Sequence, residues 1–215
     1  MDLESFFGKS EFLYHLTDRR NCDIIIKSGI LMSTVELVNA SNLSDNEKSK
    51  LLRARRPSHV EIKIDNKSYY LRDQRPISVK NLEKCLTNNW TVSDFLFHLN
   101  RRVFFWPNLN RLERHYNRYV NENPVIIRVE TRNMIELNPH AEYCRLNSGA
   151  TRSSSHWNGG PPPRGAETFL HSDEYHLPPA SIAEVTFLNN CKLPNIISVA
   201  DTPNGVWQEV NLTSD

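Results

Sequence analysis

Glycine is scarce in this chain, at 7 of 215 residues, and no Gly-x-Gly-x-x-Gly, Walker-type P-loop or Gly-x-Ser-x-Gly stretch occurs. This argues against the common dinucleotide fold, P-loop NTPases and nucleophile-elbow hydrolases, all of which need backbone turns that a Cβ obstructs. The 4 cysteines, Cys22, Cys85, Cys144 and Cys191, are far apart and lack the close pairing of structural zinc sites. None sits in a nucleophile motif, and no metal is expected. The densest acidic and histidine stretch, His171 to His176 with Asp173 and Glu174, reads as a polar turn. Also missing are an apolar run long enough to cross a bilayer and a basic-plus-apolar leader after Met1, so a reduced cytoplasmic setting with no membrane partner is expected. Charge of one sign is not in excess, with 26 Lys plus Arg against 25 Asp plus Glu. The total therefore names no partner.

What is present is a pair of apolar segments near the two ends, each interrupted by a polar group. Phe12 to Thr17 and Ser181 to Leu188 both read as strands. Side chains alternate along a strand, which puts His15 with Leu13 and Thr17, and Glu184 with Ile182, Thr186 and Leu188. A carboxylate among apolar neighbours is costly unless compensated. A buried ion pair or a strand end reaching water accounts for each residue alone; the two together suggest one site.

Between these segments the signals alternate. Thr17 or Asn21 can cap a helix that ends at Gly29, and Ser41 to Arg56 reads as a charged helix stopped by Pro57. Val60 to Ile64 and Ser68 to Leu71, flanking Asp65-Asn66-Lys67, form a hairpin signal. Helices are expected over Ser78 to Thr87, Thr91 to Asn100 and Leu109 to Val120, with strands at Val103 to Trp106 and Pro124 to Val129. Ile196 to Val199 and Val206 to Val210 read as late edge strands. A loop rich in Ser, Gly and Pro, about 151–165, is expected to be mobile. No internal repeat is visible, and without regular β-α-β alternation the class is α+β, a single domain over 1–215 with a core of about 12–199.

Cleaving a nucleotide needs cationic groups for a polyanion, a flat face for a ring and a carboxylate near the breaking bond. Arg72, in the polar strand end Arg72-Asp73-Gln74-Arg75-Pro76, can supply a bidentate phosphate contact, and Gln74 is a candidate beside it. Phe104 or Trp106 can stack on a ring, and Asn147 and Ser148, with Gly149 and Thr151, can contact a ligand. The bland alternatives are a strand-end ion pair, core packing and a turn. Basic clusters at Arg53, Arg55 and Arg56 and at Arg111, Arg114, His115 and Arg118 are either solvated faces or contacts to nucleic acid.

Tyr14-His15-Leu16-Thr17, Leu71-Arg72-Asp73-Gln74, Arg102-Val103-Phe104-Phe105-Trp106, Asn147-Ser148-Gly149 with Thr151, and Ala183-Glu184-Val185 together resemble a family of uncharacterised bacterial proteins over roughly Tyr14 to Val199. More distantly, the order of elements is similar to the DarT group of ADP-ribosyltransferases, which modify DNA bases using NAD. That resemblance implies a fold of two small packed sheets with flanking helices and NAD as substrate in a cleft between them. It also implies His15 and Thr17 as ribose contacts, Arg72 at the pyrophosphate and Glu184 as the catalytic carboxylate, with DNA or RNA as acceptor. Toxin or phage-defence biology, with an antitoxin or regulatory partner, follows by the same association. Ile182 stands where transferases acting on protein arginine carry Glu or Gln, which argues against that acceptor. An NAD glycohydrolase and a catalytically inactive nucleotide- or protein-binding module of the same fold are the alternatives.

Overall fold

Local chemistry decides most element ends. The structure, a computed structural model, describes residues 1–151 and 160–212. In chain order its first elements are α1 (Leu3–Lys9), β1 (Phe12–Asp18), α2 (Arg19–Ser28), β2 (Ile30–Met32), α3 (Thr34–Ala40) and α4 (Asp45–Arg53). The hairpin β3 (Val60–Ile64) and β4 (Lys67–Leu71) follows, then α5 (Val79–Cys85), α6 (Val92–Asn100), β5 (Arg102–Phe105) and α7 (Leu109–Tyr116). The chain continues through β6 (Pro124–Glu130), α8 (Thr131–Leu137), β7 (Ala141–Cys144), β8 (Glu184–Leu188), β9 (Asn190–Lys192), β10 (Ile196–Ala200) and β11 (Gln208–Asn211).

Gly29 stops α2 in the left-handed region at φ 62, as its lack of a Cβ allows. The cap at the other end is Asp18, not Thr17 or Asn21, because its carboxylate accepts from the Arg20 amide and also holds the Arg20 guanidinium. Asp65 and Asn66 take φ of 46 and 64, which makes the hairpin turn two residues and draws Lys67 into β4. The helix expected over Ser41 to Arg56 begins only at Asp45, where Ser44 and Glu47 cap one another, and ends at Arg53. Thr91 and Asp94 form the same box before α6.

The architecture is α+β, with several small antiparallel sheets. One sheet runs β1-β6-β10-β11 and a second β5-β8-β7, while β2-β9 and β3-β4 are two-stranded. β10 is therefore internal rather than an edge, paired on both sides by β6 and β11. β8 begins at Glu184, three residues later than its apolar run suggests, since Pro179 to Ser181 form a 3-10 turn. The two larger sheets face each other across the main core. Leu13, Ile127, Val129 and Ile197 of the first meet Val103, Phe105, Tyr143, Val185 and Phe187 of the second. Backbone hydrogen bonds between Tyr14 and Trp106, 3.0 and 2.8 Å long, join the sheets at one point.

Register puts Glu184 on the other face of the second sheet. Phe104 pairs with Thr186, Thr186 with Glu142, and Cys144 with Glu184. That face packs against α5 and α6 through Leu82, Phe95, Leu96, Leu99 and Phe169. Among the described residues no helix is long and apolar enough to cross a membrane.

Candidate functional site

Glu184 opens β8 and is buried, at 5% exposure. Its Oε2 accepts the Ser148 backbone N–H at 2.9 Å, and the Ser148 hydroxyl adds a second hydrogen bond. Burial raises its carboxyl above the usual range; the Ser148 bonds and the cations Arg164 and Arg111 pull the other way and offset this in part. Glu142, two strand positions along on β7, shows the contrast, because Arg102 grips it with bonds of 2.7 and 2.9 Å. Among the described residues Glu184 has no such ion pair. Nearby polar atoms are also unsatisfied: Asn147 Oδ1, Thr186 Oγ1 and Arg164 Nε are buried without hydrogen-bond partners.

The turn carrying Ser148 is held from behind. Arg164 Nη2 donates to the carbonyls of Asn147 and Ala150 at 3.0 and 2.9 Å, and Ala150 N–H closes the turn on Asn147 O. Thr151 and Arg164 are both buried, so the two ends of the expected mobile loop belong to the packed structure. Its residues 152–159 lie outside the described residues.

A second polar group forms at β1. His15 Nδ1 donates to the Phe104 carbonyl at 2.9 Å, and its ring lies against Phe105. Burial brings the imidazole down to about 4, so near neutral pH it is uncharged, with Nε2 left as an acceptor. Thr17 is buried beside Asn21, which exchanges hydrogen bonds of 2.9 Å with the Tyr70 backbone and so ties α2 to β4. One residue past β4, Arg72 donates to Thr17 O at 3.3 Å and lies over the Tyr119 ring at 4.3 Å. Its Nε and Nη1 are buried and unpartnered, and burial lowers its pKa.

The two groups are linked through the backbone of β5 and β8. Phe104, whose carbonyl fixes His15, pairs with Thr186, two residues from Glu184. Helix α7 links them as well: Arg111 bears on Glu184, while His115, one turn later, bears on Arg72 and His15. The His115 ring lies 4.5 Å from that of Trp106, and burial pushes its pKa down to about 3.

With this geometry, the chain can be set against known proteins. The model of a family of unknown function, DUF7002, matches residues 11–196. The chain belongs to DUF7002. No curated protein and no solved structure matches. The DUF7002 match encloses both polar groups, from just before β1 to the first residue of β10.

Several expected contacts are used elsewhere. Gln74 is buried, accepts from the Arg56 amide at 3.1 Å and donates to Asn100 Oδ1 at 3.1 Å. It is a structural bridge rather than a free ligand contact. Arg56 is buried too, binding Asn100 Oδ1, Leu51 O and Arg72 O at 2.8 to 3.0 Å, and it cannot meet a nucleic acid. Arg55 bonds the carbonyls of Gln74 and Arg75, while Arg53 is exposed, pairs with Asp94 at 3.4 Å and covers the Phe97 ring. Trp106 is core, packed with Leu16, Leu112 and Ile126 and covered by His115, so its face is not open for stacking. Phe104 is half-buried and edge-on to Phe169, and it enters the site through its carbonyl. The helix expected to run to Val120 ends at Tyr116, so exposed Arg118 lies in the turn after it; with exposed Arg114 and half-buried Arg111 on α7 it makes the basic face near the site.

One cluster escapes a sequence reading. His59 Nε2 lies 2.7 Å from Glu122 and 3.3 Å from Asp73, and its Nδ1 3.7 Å from Asp18, beside a cavity of about 420 Å³. Ligand atoms of His59, Asp73 and Glu122 lie within 4.8 Å of one another, close enough for a metal. Yet Arg75 already bridges Asp73 and Glu122, supplying the charge that a cation would bring. The cluster clamps the ends of β1 and β4 to the turn after α7. Only Asp73 in the polar strand end hinted at it.

Proposed function

We propose that this protein is an ADP-ribosyltransferase that takes NAD as substrate and transfers its ADP-ribose to a nucleic-acid base. The observation that carries the reading is Glu184, a buried carboxylate clamped by Ser148 one strand away from the His15–Phe104 contact. In this reading the nicotinamide–ribose bond breaks with its electron pair leaving on nicotinamide, and the anomeric carbon becomes oxocarbenium-like. A carboxylate on the ribose 2′-hydroxyl strengthens its hold as that positive charge grows. A base nitrogen then bonds to the anomeric carbon and gives up its proton. His15 Nε2 would accept from a ribose hydroxyl, Thr17 would sit beside it, and the unpartnered nitrogens of Arg72 would face the pyrophosphate. Arg114 on α7 and Arg118 in the turn after it would attract the acceptor. The sheets' facing surfaces are filled by core side chains. We therefore place NAD at the junction of β1 and β5, within an ADP-ribosyltransferase-like fold.

A second reading, a nucleotide- or protein-binding module without catalysis, is favoured by His115 covering Trp106, which removes the expected stacking face. The resemblance that suggests a transferase also suggests a toxin or phage-defence effector. The test is turnover of adenine-labelled NAD with single-stranded DNA, duplex DNA or RNA, beside Glu184→Gln. Label on nucleic acid, lost in the variant, supports the transferase and names the acceptor. Free ADP-ribose alone means a glycohydrolase. No turnover with any acceptor leaves the binding module.

A further inference from the structure

Arg164 is 4% exposed, and all its side-chain hydrogen bonds among the described residues go to carbonyls. Among the described residues none goes to a carboxylate, and Nε is buried without a hydrogen-bond partner. Arg164 acts on Glu184 electrostatically but makes no direct ion pair with it among the described residues, and a buried guanidinium so weakly compensated gains from an anion placed beside it. Arg164 also lines a cavity of about 280 Å³ beside the β7 edge, where Tyr143 exchanges backbone hydrogen bonds with Leu170. The apolar part of the wall comes from Tyr143, Leu146, Leu170, Tyr175 and Leu177. Arg145 also lines it, and the one carboxylate on the lining, Glu167, is exposed to solvent. Leu177 is itself exposed at 39%, an apolar group presented to water.

We propose that this cavity binds a small aromatic carboxylate, its anionic head on Arg164 and its ring among Tyr143, Leu170, Tyr175 and Leu177. Size agrees: an apolar cavity of ~150 Å³ holds benzene, so this one accommodates a ring with its carboxylate. The site is distinct from the NAD reading, which uses neither Tyr175 nor Leu177, and stands without it. Occupancy would still be felt at Glu184, because Arg164 supports the turn that presents Ser148.

The test is a titration of the full chain with benzoate, benzamide and inorganic phosphate, followed by heteronuclear NMR. Benzamide keeps the ring without the charge, and phosphate keeps charge without the ring. Saturable benzoate binding, with shifts centred on Leu170, Tyr175 and Leu177 and at least tenfold weaker binding of the other two, is expected. Arg164→Gln should abolish the preference for benzoate over benzamide. Since Arg164 also braces a turn, Leu177→Trp serves as a second variant: it narrows the mouth, and should weaken benzoate at least tenfold with melting temperature unchanged. Equal binding of benzamide overturns the carboxylate, equal binding of phosphate overturns the ring, and no saturation by about 10 mM benzoate overturns the site.

Discussion

The Ser148 amide and Glu184 Oε2, 2.9 Å apart, join a loop and a strand end that lie 36 residues apart in the chain. Because burial raises the Glu184 carboxyl, the folded chain holds that proton more tightly than the unfolded chain. Its stabilising contribution is full below the unfolded value and is lost as pH rises through the folded one. Glu184→Gln should therefore melt at a higher temperature than the parent at pH 8, with the gap closing at pH 4. The same variant should lose NAD turnover by about 10²–10³-fold while binding NAD within a few-fold. Unchanged turnover would remove Glu184 from the chemistry.

Three half-buried imidazoles set an acid limit. His15 sits at about 4 and His98 and His115 at about 3, all below the ordinary 6.5 and each lowered chiefly by burial. The stability linked to them is present above 6.5 and is lost as pH falls from there towards the folded values. Urea midpoints should drop between pH 6.5 and 4, and His115→Gln should flatten that slope. A variant with the parent's slope would place the acid sensitivity elsewhere.

Asn100 joins four segments, accepting from Arg56 and Gln74 and donating to Leu52 O at 2.8 Å. Asn100→Ala leaves a buried guanidinium and a buried amide short of an acceptor. It should cost about 2–4 kcal/mol in chemical denaturation. Gln74→Ala should also destabilise, yet leave NAD affinity of the folded fraction unchanged; a selective loss of affinity would restore Gln74 as a contact.

Arg72 keeps two buried nitrogens unpartnered while its cation rests on Tyr119. If those nitrogens await a pyrophosphate, Arg72→Lys, which keeps charge but loses the planar fork, should raise KM for NAD about tenfold with a smaller change in kcat. A fall in kcat alone would point instead to disruption of the His15 neighbourhood.

Arg114 on α7 and Arg118 in the turn after it are exposed charges. Arg114→Glu and Arg118→Glu should each lower the slope of log affinity for duplex DNA against log salt by about 0.9. Arg53→Glu, across the molecule's Asp94 pair, is the control and should change it less.

Much of the local structure is legible without coordinates, because its causes lie within a few residues. Gly29 ends α2, Asp65-Asn66 turns the hairpin, and Thr91 with Asp94 starts α6. The apolar runs of β1, β6 and β8 are equally plain, and they identify His15 and Glu184 as polar groups in buried strands. Three-residue β2 and β9 are too short to show a period, and β10 reads as an edge because pairing on both sides depends on β6 and β11.

What the chain alone settled was the type of its longer periodic segments, and that His15 and Glu184 interrupt apolar runs. Burial has a sequence pattern; partnership does not. The packed structure alone decided that Arg56 and Gln74 meet at Asn100, that Trp106 lies under His115, that Arg75 fills the acidic cluster and that Ser148 reaches Glu184. Each of these polar groups needs a hydrogen bond or counter-charge once water is removed, and the identity of the partner is set by which distant surfaces the core brings together.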